Sequence, residues 1–158
     1  MNRINKRYFI DTKSMMNKKI YLYKYAIYGS LGICLEIFWT GFRSLMNQDY
    51  TMEGRTYIWM FFIYGLAVFL EPIHDRIRDQ NFILRGFLYM VLIFITEFFT
   101  GLLLRTIIGK CPWNYTGNGS IDGLITLSFI PLWFGLGLLL EKVHDFLDFL
   151  YLIKDKNS

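Results

Sequence analysis

Residues 91–127, VLIFITEFFTGLLLRTIIGKCPWNYTGNGSIDGLITL, decide the fold of this chain. An apolar run carries one carboxylate, Glu97. We expect its helix to end before Pro112, because proline disfavours the helical conformation of the preceding residue and donates no backbone hydrogen bond. Trp113 and Tyr115 follow at the place that amphipathic rings prefer, the boundary between hydrocarbon and water. The stretch therefore predicts two membrane-embedded helices joined by a tight polar turn.

The composition of the whole chain fits a bilayer environment. Of its 158 residues, 54% are hydrophobic and 19% are aromatic, and the mean hydropathy is +0.31. One soluble core of this size needs less apolar surface. Four segments are long enough to cross the bilayer, since a membrane span requires ~20 mostly apolar residues, and they cover residues 24–43, 56–73, 82–104 and 121–140.

We expect an all-α polytopic membrane protein with four transmembrane helices, arranged as two tandem helical hairpins. The membrane domain covers residues 20–145, between a basic segment at residues 1–19 and an amphipathic tail at residues 146–158. The sequence has no phosphate-binding GxxxxGK[ST] motif, so no nucleotide-binding domain is expected. Cys34 lies inside the first predicted span and Cys111 follows the third, which does not resemble a disulfide or metal framework.

The basic residues cluster on one side of the predicted membrane. Thirteen of them flank the amino terminus, lie in the second connection or lie in the tail. The opposite side has four, namely Arg43, Arg55, Arg105 and Lys110. By the positive-inside rule both termini are therefore cytoplasmic. The net charge of +4 follows from this asymmetry, so we expect a multi-pass protein of the plasma membrane and no nucleic-acid partner.

An internal match links the second and fourth predicted spans. Residues 64–75, YGLAVFLEPIHD, align without a gap with residues 134–145, FGLGLLLEKVHD. A looser match relates residues 35–41 to residues 96–101. We expect two hairpins that are copies of each other. Because each copy holds an even number of spans, the repeats are parallel and related by an axis along the membrane normal.

Each predicted span carries one glutamate, and the four are Glu36, Glu71, Glu97 and Glu141. An ionised carboxylate in a bilayer is costly, so such groups face the interior of a helix bundle or stay protonated. Helical periodicity places Arg105 on the face of Glu97. We interpret the acids as a buried network of ion pairs and hydrogen bonds, in which Glu97 pairs with Arg105 and Glu36 with Arg43. A proton or cation path is an alternative.

A metal site is a further alternative, because His74 and His144 each follow a glutamate, Glu71 and Glu141, by three residues. Two Glu-x-x-His helices with two further glutamate helices form the ligand set of soluble di-metal carboxylate bundles. Depth weighs against a metal, since at ~1.5 Å per residue the two glutamates of a hairpin differ in level by several ångströms. We find no Ser, His and Asp arrangement typical of nucleophilic catalysis, and no cofactor follows from the sequence.

Six stretches carry a family likeness: YAIYGSLGICLEIFWTGF, WMFFIYGLAVFLE, TEFFTGLLLR, CPWNYT, GLITLSF and PLWF. Over roughly residues 25–141 the chain resembles the transmembrane protein 229 family and, more distantly, the bacterial ABC-transporter type IV (CmpB-like) membrane proteins. The resemblance implies that the recurring acids are Glu36, Glu71, Glu97 and Glu141 and that the aromatic turn is Trp113 and Tyr115. The family turn reads Trp-Asp-Tyr-Ser, whereas Asn114 here lacks the charge. His74 and His144 fall outside the family pattern.

From the acidic network and the resemblance we expect a transporter-like or permease-like membrane component. The residues that would carry its function are Glu36, Glu71, Glu97, Glu141, Arg105, Trp113 and Tyr115. Four thin spans enclose little space, so we expect a homo-oligomer or another membrane subunit as a partner besides the lipid bilayer. A membrane metalloenzyme with Glu and His ligands and a structural or scaffold protein are the alternatives.

Overall fold

The computed structural model describes residues 18–156, with side chains described for residues 20–151. Residues 1–17 of the predicted basic segment (residues 1–19) and the side chains at the end of the predicted tail lie outside this range. The elements in chain order are α1 (Lys18–Met46), α2 (Ile58–Gly65), a 3-10 segment (Leu66–Leu70), α3 (Glu71–Ile77), α4 (Phe82–Ile108), β1 (Ser120–Ile121), β2 (Ile125–Thr126), a 3-10 segment (Leu127–Phe129) and α5 (Ile130–Lys156).

The chain divides into two compact units. The first comprises Met1–Thr56 and Met60–Val68, and the second comprises Tyr57–Trp59 and Phe69–Ser158. Within the first unit α1 and α2 approach closely, because a Cβ on Gly32 would collide with the ring of Tyr64. The hydroxyl of Tyr25 also donates a 2.8 Å hydrogen bond to the carbonyl oxygen of Phe62. Small residues at such contacts let two helix backbones come together.

The second unit is built on the antiparallel pair α4 and α5. Asn81 caps the start of α4, where its side chain accepts a hydrogen bond from the Ile83 amide at 3.0 Å. Gly109 ends α4 in the left-handed region at φ +76°, which glycine adopts without a Cβ penalty. Between the helices, a Cβ on Gly137 would collide with the side chain of Tyr89.

A short hairpin joins α4 to α5. Its two strands pair in antiparallel register, Ser120 with Thr126 and Ile121 with Ile125. Leu124, which lies between them, is fully buried. The helix α5 therefore begins at Ile130, later than residue 121, where the sequence places the fourth span. The polar, glycine-containing turn extends further along the chain than the apolar residues of the segment ITLSF, residues 125–129, indicate.

The second predicted span is interrupted. A 3-10 segment, Leu66–Leu70, separates α2 from α3, and Pro72 lies in the first turn of α3. Proline is tolerated there because the first turn of a helix has no internal acceptor for its amide. Pro131 likewise lies in the first turn of α5 and marks the start of that helix.

Within the described part of the chain, three helical stretches are long and apolar enough to cross a membrane: Ile58–Ile77, Phe82–Ile108 and Leu127–Tyr151. The chain is thus mostly helical and has the composition of a membrane protein. The first predicted span, residues 24–43, lies in α1 and is not among the three. Its glycines, tyrosines, Thr40 and Glu36 lower the hydropathy of α1, so the four-span topology stays a prediction.

Candidate functional site

The second unit brings together four buried side chains, Glu71 and His74 from α3 and Glu141 and His144 from α5. We call these four residues the histidine–carboxylate box. His74 Nδ1 lies 3.2 Å from Glu141 Oε1, and His144 Nδ1 lies 3.2 Å from Glu71 Oε1. Each helix therefore presents its histidine to the glutamate of the other helix. The two imidazole rings meet edge to face, with centroids 5.3 Å apart.

Aspartates lie at the second nitrogen of each imidazole. His74 Nε2 is 3.5 Å from Asp145 Oδ1, and His144 Nε2 is 3.5 Å from Asp75 Oδ1. Asp148 Oδ2 also lies 3.5 Å from His144 Nε2. Both nitrogens of each ring thus lie near carboxylate oxygens, and all four nitrogens have such an oxygen in the matching Glu-x-x-His-Asp motif of the opposite helix.

Two arginines border the box. Arg85 Nε of α4 lies 3.0 Å from Glu141 Oε1, and another nitrogen of this guanidinium donates a 2.7 Å hydrogen bond to the Arg78 carbonyl just after α3. The guanidinium of Arg78 donates to Asp145 at 2.6 Å and lies 3.7 Å from Asp75. The carboxylates of α3 and α5 are therefore tied together by cations as well as by histidines.

The box is closed to its surroundings. Glu71 and Glu141 are 3% and 4% exposed, and His74 and His144 are 4% and 2% exposed. The buried Tyr89 covers one side, with its hydroxyl 3.2 Å from His74 Nδ1. Burying a charge is costly unless the charge is paired. Clustered titratable side chains in such a position make the box a candidate functional site.

A second set of residues surrounds Glu97 in the middle of α4. The hydroxyl of Tyr115 donates to Glu97 Oε1 at 2.6 Å, and the indole Nε1 of Trp133 donates to Glu97 Oε2 at 3.2 Å. The ring of Phe129 packs edge to face against both Tyr115 and Trp133. We call Glu97, Tyr115 and Trp133 the Glu97 network. Its two donors stabilise the carboxylate as an acceptor.

Arg105 and Trp113 stabilise the turn beside this network. Arg105 donates to the carboxylate of Asp122 at 2.9 Å and to its carbonyl oxygen at 2.7 Å. The indole of Trp113 donates to the carbonyl oxygen of Leu124 at 2.9 Å. The expected Glu97–Arg105 pair is therefore replaced by an Arg105–Asp122 pair. Arg105 is close to the end of α4 and reaches into the hairpin, whereas Glu97 is two turns earlier and meets aromatic donors.

The box and the Glu97 network lie in opposite halves of the α4–α5 pair. Arg85 meets Glu141 near one end, whereas Glu97 meets Trp133 towards the other. Twelve residues of α4 separate Arg85 from Glu97, which is about 18 Å at ~1.5 Å per residue. The three glutamates of the second unit, Glu71, Glu97 and Glu141, therefore do not share one centre. Glu36, in the first unit, has the side chains of Thr56 and Tyr64 beside its carboxyl group.

The proposed metal ligands have come together in direct contacts between imidazole and carboxylate. Among the described side chains, no group of three or more His, Cys, Asp or Glu residues is arranged to hold a metal ion. Each half of the box offers one imidazole nitrogen and one glutamate oxygen at the 3.2 Å contact.

Sequence reasoning missed three partners of the predicted acids, namely Trp133, Arg85 and Tyr89. Each lies one helix away from the residue that it contacts, so helical periodicity alone does not relate them. The antiparallel course of the α4–α5 hairpin could have related two of these residues to their partners, namely Trp133 to Glu97 and Arg85 to Glu141. It brings the first turns of α5 near the second half of α4, and Trp133 is the indole donor there.

Removing the Tyr115 hydroxyl tests the Glu97 network. Tyr115→Phe leaves the Glu97 carboxylate with one donor fewer, and we expect the protein to lose about 1 to 3 kcal/mol of unfolding free energy. Reversible unfolding in detergent measures this loss. Tyr50→Phe, at a tyrosine that is 82% exposed, is the matched control and should change little. Equal stability of the two variants would show that the Tyr115–Glu97 hydrogen bond contributes nothing.

No solved structure matches the chain. A family model described as "Putative ABC-transporter type IV" matches residues 23–156, which is most of the chain. The match confirms the resemblance to the CmpB-like membrane proteins, while the resemblance to the transmembrane protein 229 family stays a prediction. The chain therefore belongs to the family described as "Putative ABC-transporter type IV".

Proposed function

We propose that this protein is a multi-pass, permease-like membrane component of a transport system, in which the buried acids of the second unit line a path for a cation. The observation that supports this most is the position of the box and of Glu97 inside helices apolar enough to cross a membrane. Ionisable side chains are expensive at such positions, and in membrane proteins they commonly mark ion and proton pathways.

The family description adds support for a transport role. The sequence contains no GxxxxGK[ST] motif, so energy from nucleotide hydrolysis would have to come from a separate subunit. A cation gradient is the other source of energy for transport, and it needs titratable or cation-binding groups within the membrane. Glu97 and the box supply such groups in both halves of the α4–α5 pair.

We also propose that the membrane domain has internal symmetry. The two Glu-x-x-His-Asp motifs exchange contacts at equal distances, 3.2 Å for both Nδ1–Glu contacts and 3.5 Å for both Nε2–Asp contacts across the motifs. A basic residue, a tyrosine and a glutamate also recur at identical spacing, as Lys24, Tyr28 and Glu36 and as Arg85, Tyr89 and Glu97. These matches favour two parallel hairpin repeats, which is an arrangement known from transporters.

Ion flux through liposomes tests the transport role. The purified protein is reconstituted with a trapped pH-sensitive dye, and a potassium diffusion potential set with valinomycin drives cations inward. We expect proton entry faster than in empty liposomes. Glu97→Gln should reduce this entry to the level of empty liposomes, because the amide cannot carry a proton along the path.

Glu53→Gln is the matched control for this experiment, since Glu53 is a carboxylate in an exposed loop with 56% side-chain exposure. It should conduct as the wild type does. Flux equal to that of empty liposomes in the wild type would favour the scaffold alternative. Unchanged flux in Glu97→Gln would remove Glu97 from the path.

The proposal includes four spans with both termini in the cytoplasm, so the turn that contains Cys111 faces outward. The chain has two cysteines, Cys34 and Cys111, which makes thiol labelling selective. Cys111 is partly exposed, and burial raises the pKa of its thiol. Because the thiolate is the reactive form, labelling of Cys111 should become faster as the pH rises.

A membrane-impermeant maleimide applied to intact cells tests this topology. The Cys34→Ser variant, which retains Cys111, should be labelled without permeabilisation. A variant with both cysteines replaced by serine and Ser158→Cys added should be labelled only after permeabilisation. Labelling of the Ser158→Cys variant in intact cells, or protection of Cys111 until permeabilisation, would contradict the proposed orientation.

A further inference from the structure

The first unit contains a partly buried carboxyl group, Glu36 of α1, whose neighbours are hydroxyl groups. Thr56, from the segment before α2, and Tyr64 of α2 place their side chains beside this carboxyl group. The ring of Tyr64 packs on Gly32, one helical turn before Glu36, which accounts for the reach of its hydroxyl to the acid. Glu36 therefore meets two hydroxyl groups from outside its own helix.

The segment before α2 is held against α1 through its backbone. The Thr40 hydroxyl oxygen accepts a hydrogen bond from the Arg55 amide at 2.8 Å and lies 3.0 Å from the Arg55 carbonyl oxygen. A Cβ on Gly54 would collide with the carbonyl oxygen of Ile37, so glycine permits this close approach of the two backbones. These contacts fix the position of Thr56 beside the acid.

Two oxygen atoms at this place are enclosed by the protein without a hydrogen bond. Among the described residues, none gives Glu36 Oε2 or the Thr56 hydroxyl oxygen a hydrogen bond of acceptable geometry. Burying a polar oxygen without a partner costs free energy, and an ionised carboxylate costs more than a neutral group. A cation is a partner for both atoms at once, because carboxylate and other oxygen atoms are the ligands that hard cations prefer.

The types of donor distinguish this place from the Glu97 network. In that network the hydroxyl of Tyr115 and the indole of Trp133 donate to the two oxygens of the carboxylate. An indole N–H only donates and has no lone pair for a cation, whereas the hydroxyl of threonine or tyrosine also offers lone pairs. Glu97 is therefore held by hydrogen bonds within the protein, while Glu36 has an oxygen that is able to act as a ligand.

We propose that Glu36, Thr56 and Tyr64 form a binding site for a monovalent alkali cation. Glu36 supplies the charge that neutralises the ion, and the two hydroxyl groups supply lone pairs. A single carboxylate favours a monovalent ion over calcium, since the affinity of calcium sites depends on the number of charged ligands. This site goes beyond the proposed function, which assigns a cation path to the acids of the second unit.

Unfolding of the purified protein in detergent tests the site without a transport assay. Sodium chloride is exchanged for choline chloride at constant ionic strength, because the bulky choline ion cannot replace a bare ion among three oxygens. A ligand that binds only the folded state lowers the unfolding equilibrium constant. We expect a decrease of about tenfold when sodium reaches about ten times its dissociation constant. Binding of radioactive sodium to the folded protein should be saturable.

Variants of the ligands and matched controls make the test specific. Glu36→Gln should abolish the stabilisation and the binding of sodium, because an amide carries no charge. Thr56→Val removes one ligand oxygen at nearly constant volume and should weaken sodium binding about tenfold. Glu53→Gln, in an exposed loop, and Thr106→Val, on an exposed part of α4, should keep the wild-type response. If Glu36→Gln fails to fold, the wild-type salt series and the two threonine variants decide the question.

Two results would overturn the proposal. One is wild-type unfolding that is the same in sodium, potassium and choline chloride, and the Thr56 hydroxyl would then donate directly to Glu36. The other is a sodium response that survives Glu36→Gln. A larger response to potassium that is lost in Glu36→Gln would support the site and identify potassium as its ion. A sodium response without flux in liposomes would keep this site and reject the transport function, whereas flux without a response to either ion would do the reverse.

Discussion

The structure depends on one constraint, which is that an ionisable side chain in an apolar helix must find a partner within the protein. An unpaired charge or polar group in hydrocarbon costs more free energy than most packing contacts return. In the second unit this constraint is met twice. The histidine–carboxylate box pairs acids with imidazoles and arginines, and the Glu97 network pairs an acid with a phenol and an indole.

The same constraint explains the long turn between α4 and α5. Tyr115 reaches Glu97 because the turn continues through a paired hairpin, which Arg105, Asp122 and Trp113 hold in place. If α4 were connected directly to α5, no segment would place Tyr115 beside Glu97 in the middle of α4. The turn is therefore part of the site, and its aromatic residues do more than mark the edge of the membrane.

Much of this arrangement follows from the sequence. Apolar runs predict the membrane helices, and the spacing of Glu-x-x-His places both side chains on one face of a helix. Which partners meet is harder to predict. Arg105 shares a helix face with Glu97 yet binds Asp122, and Trp133 contacts Glu97 from another helix. Such pairs depend on how each helix is rotated about its axis and on where α5 begins, and a single sequence fixes neither.

The most direct measurement of the constraint is a double-mutant cycle between His74 and Glu141. Unfolding free energies are measured for the wild type, His74→Ala, Glu141→Ala and the double variant, with His74 and Glu97 as a distant control pair. The constraint predicts a coupling free energy of at least about 1 kcal/mol for His74 and Glu141, and additivity within about 0.5 kcal/mol for the control pair. Additive effects of His74→Ala and Glu141→Ala would contradict the account, because the two buried side chains would then not stabilise each other.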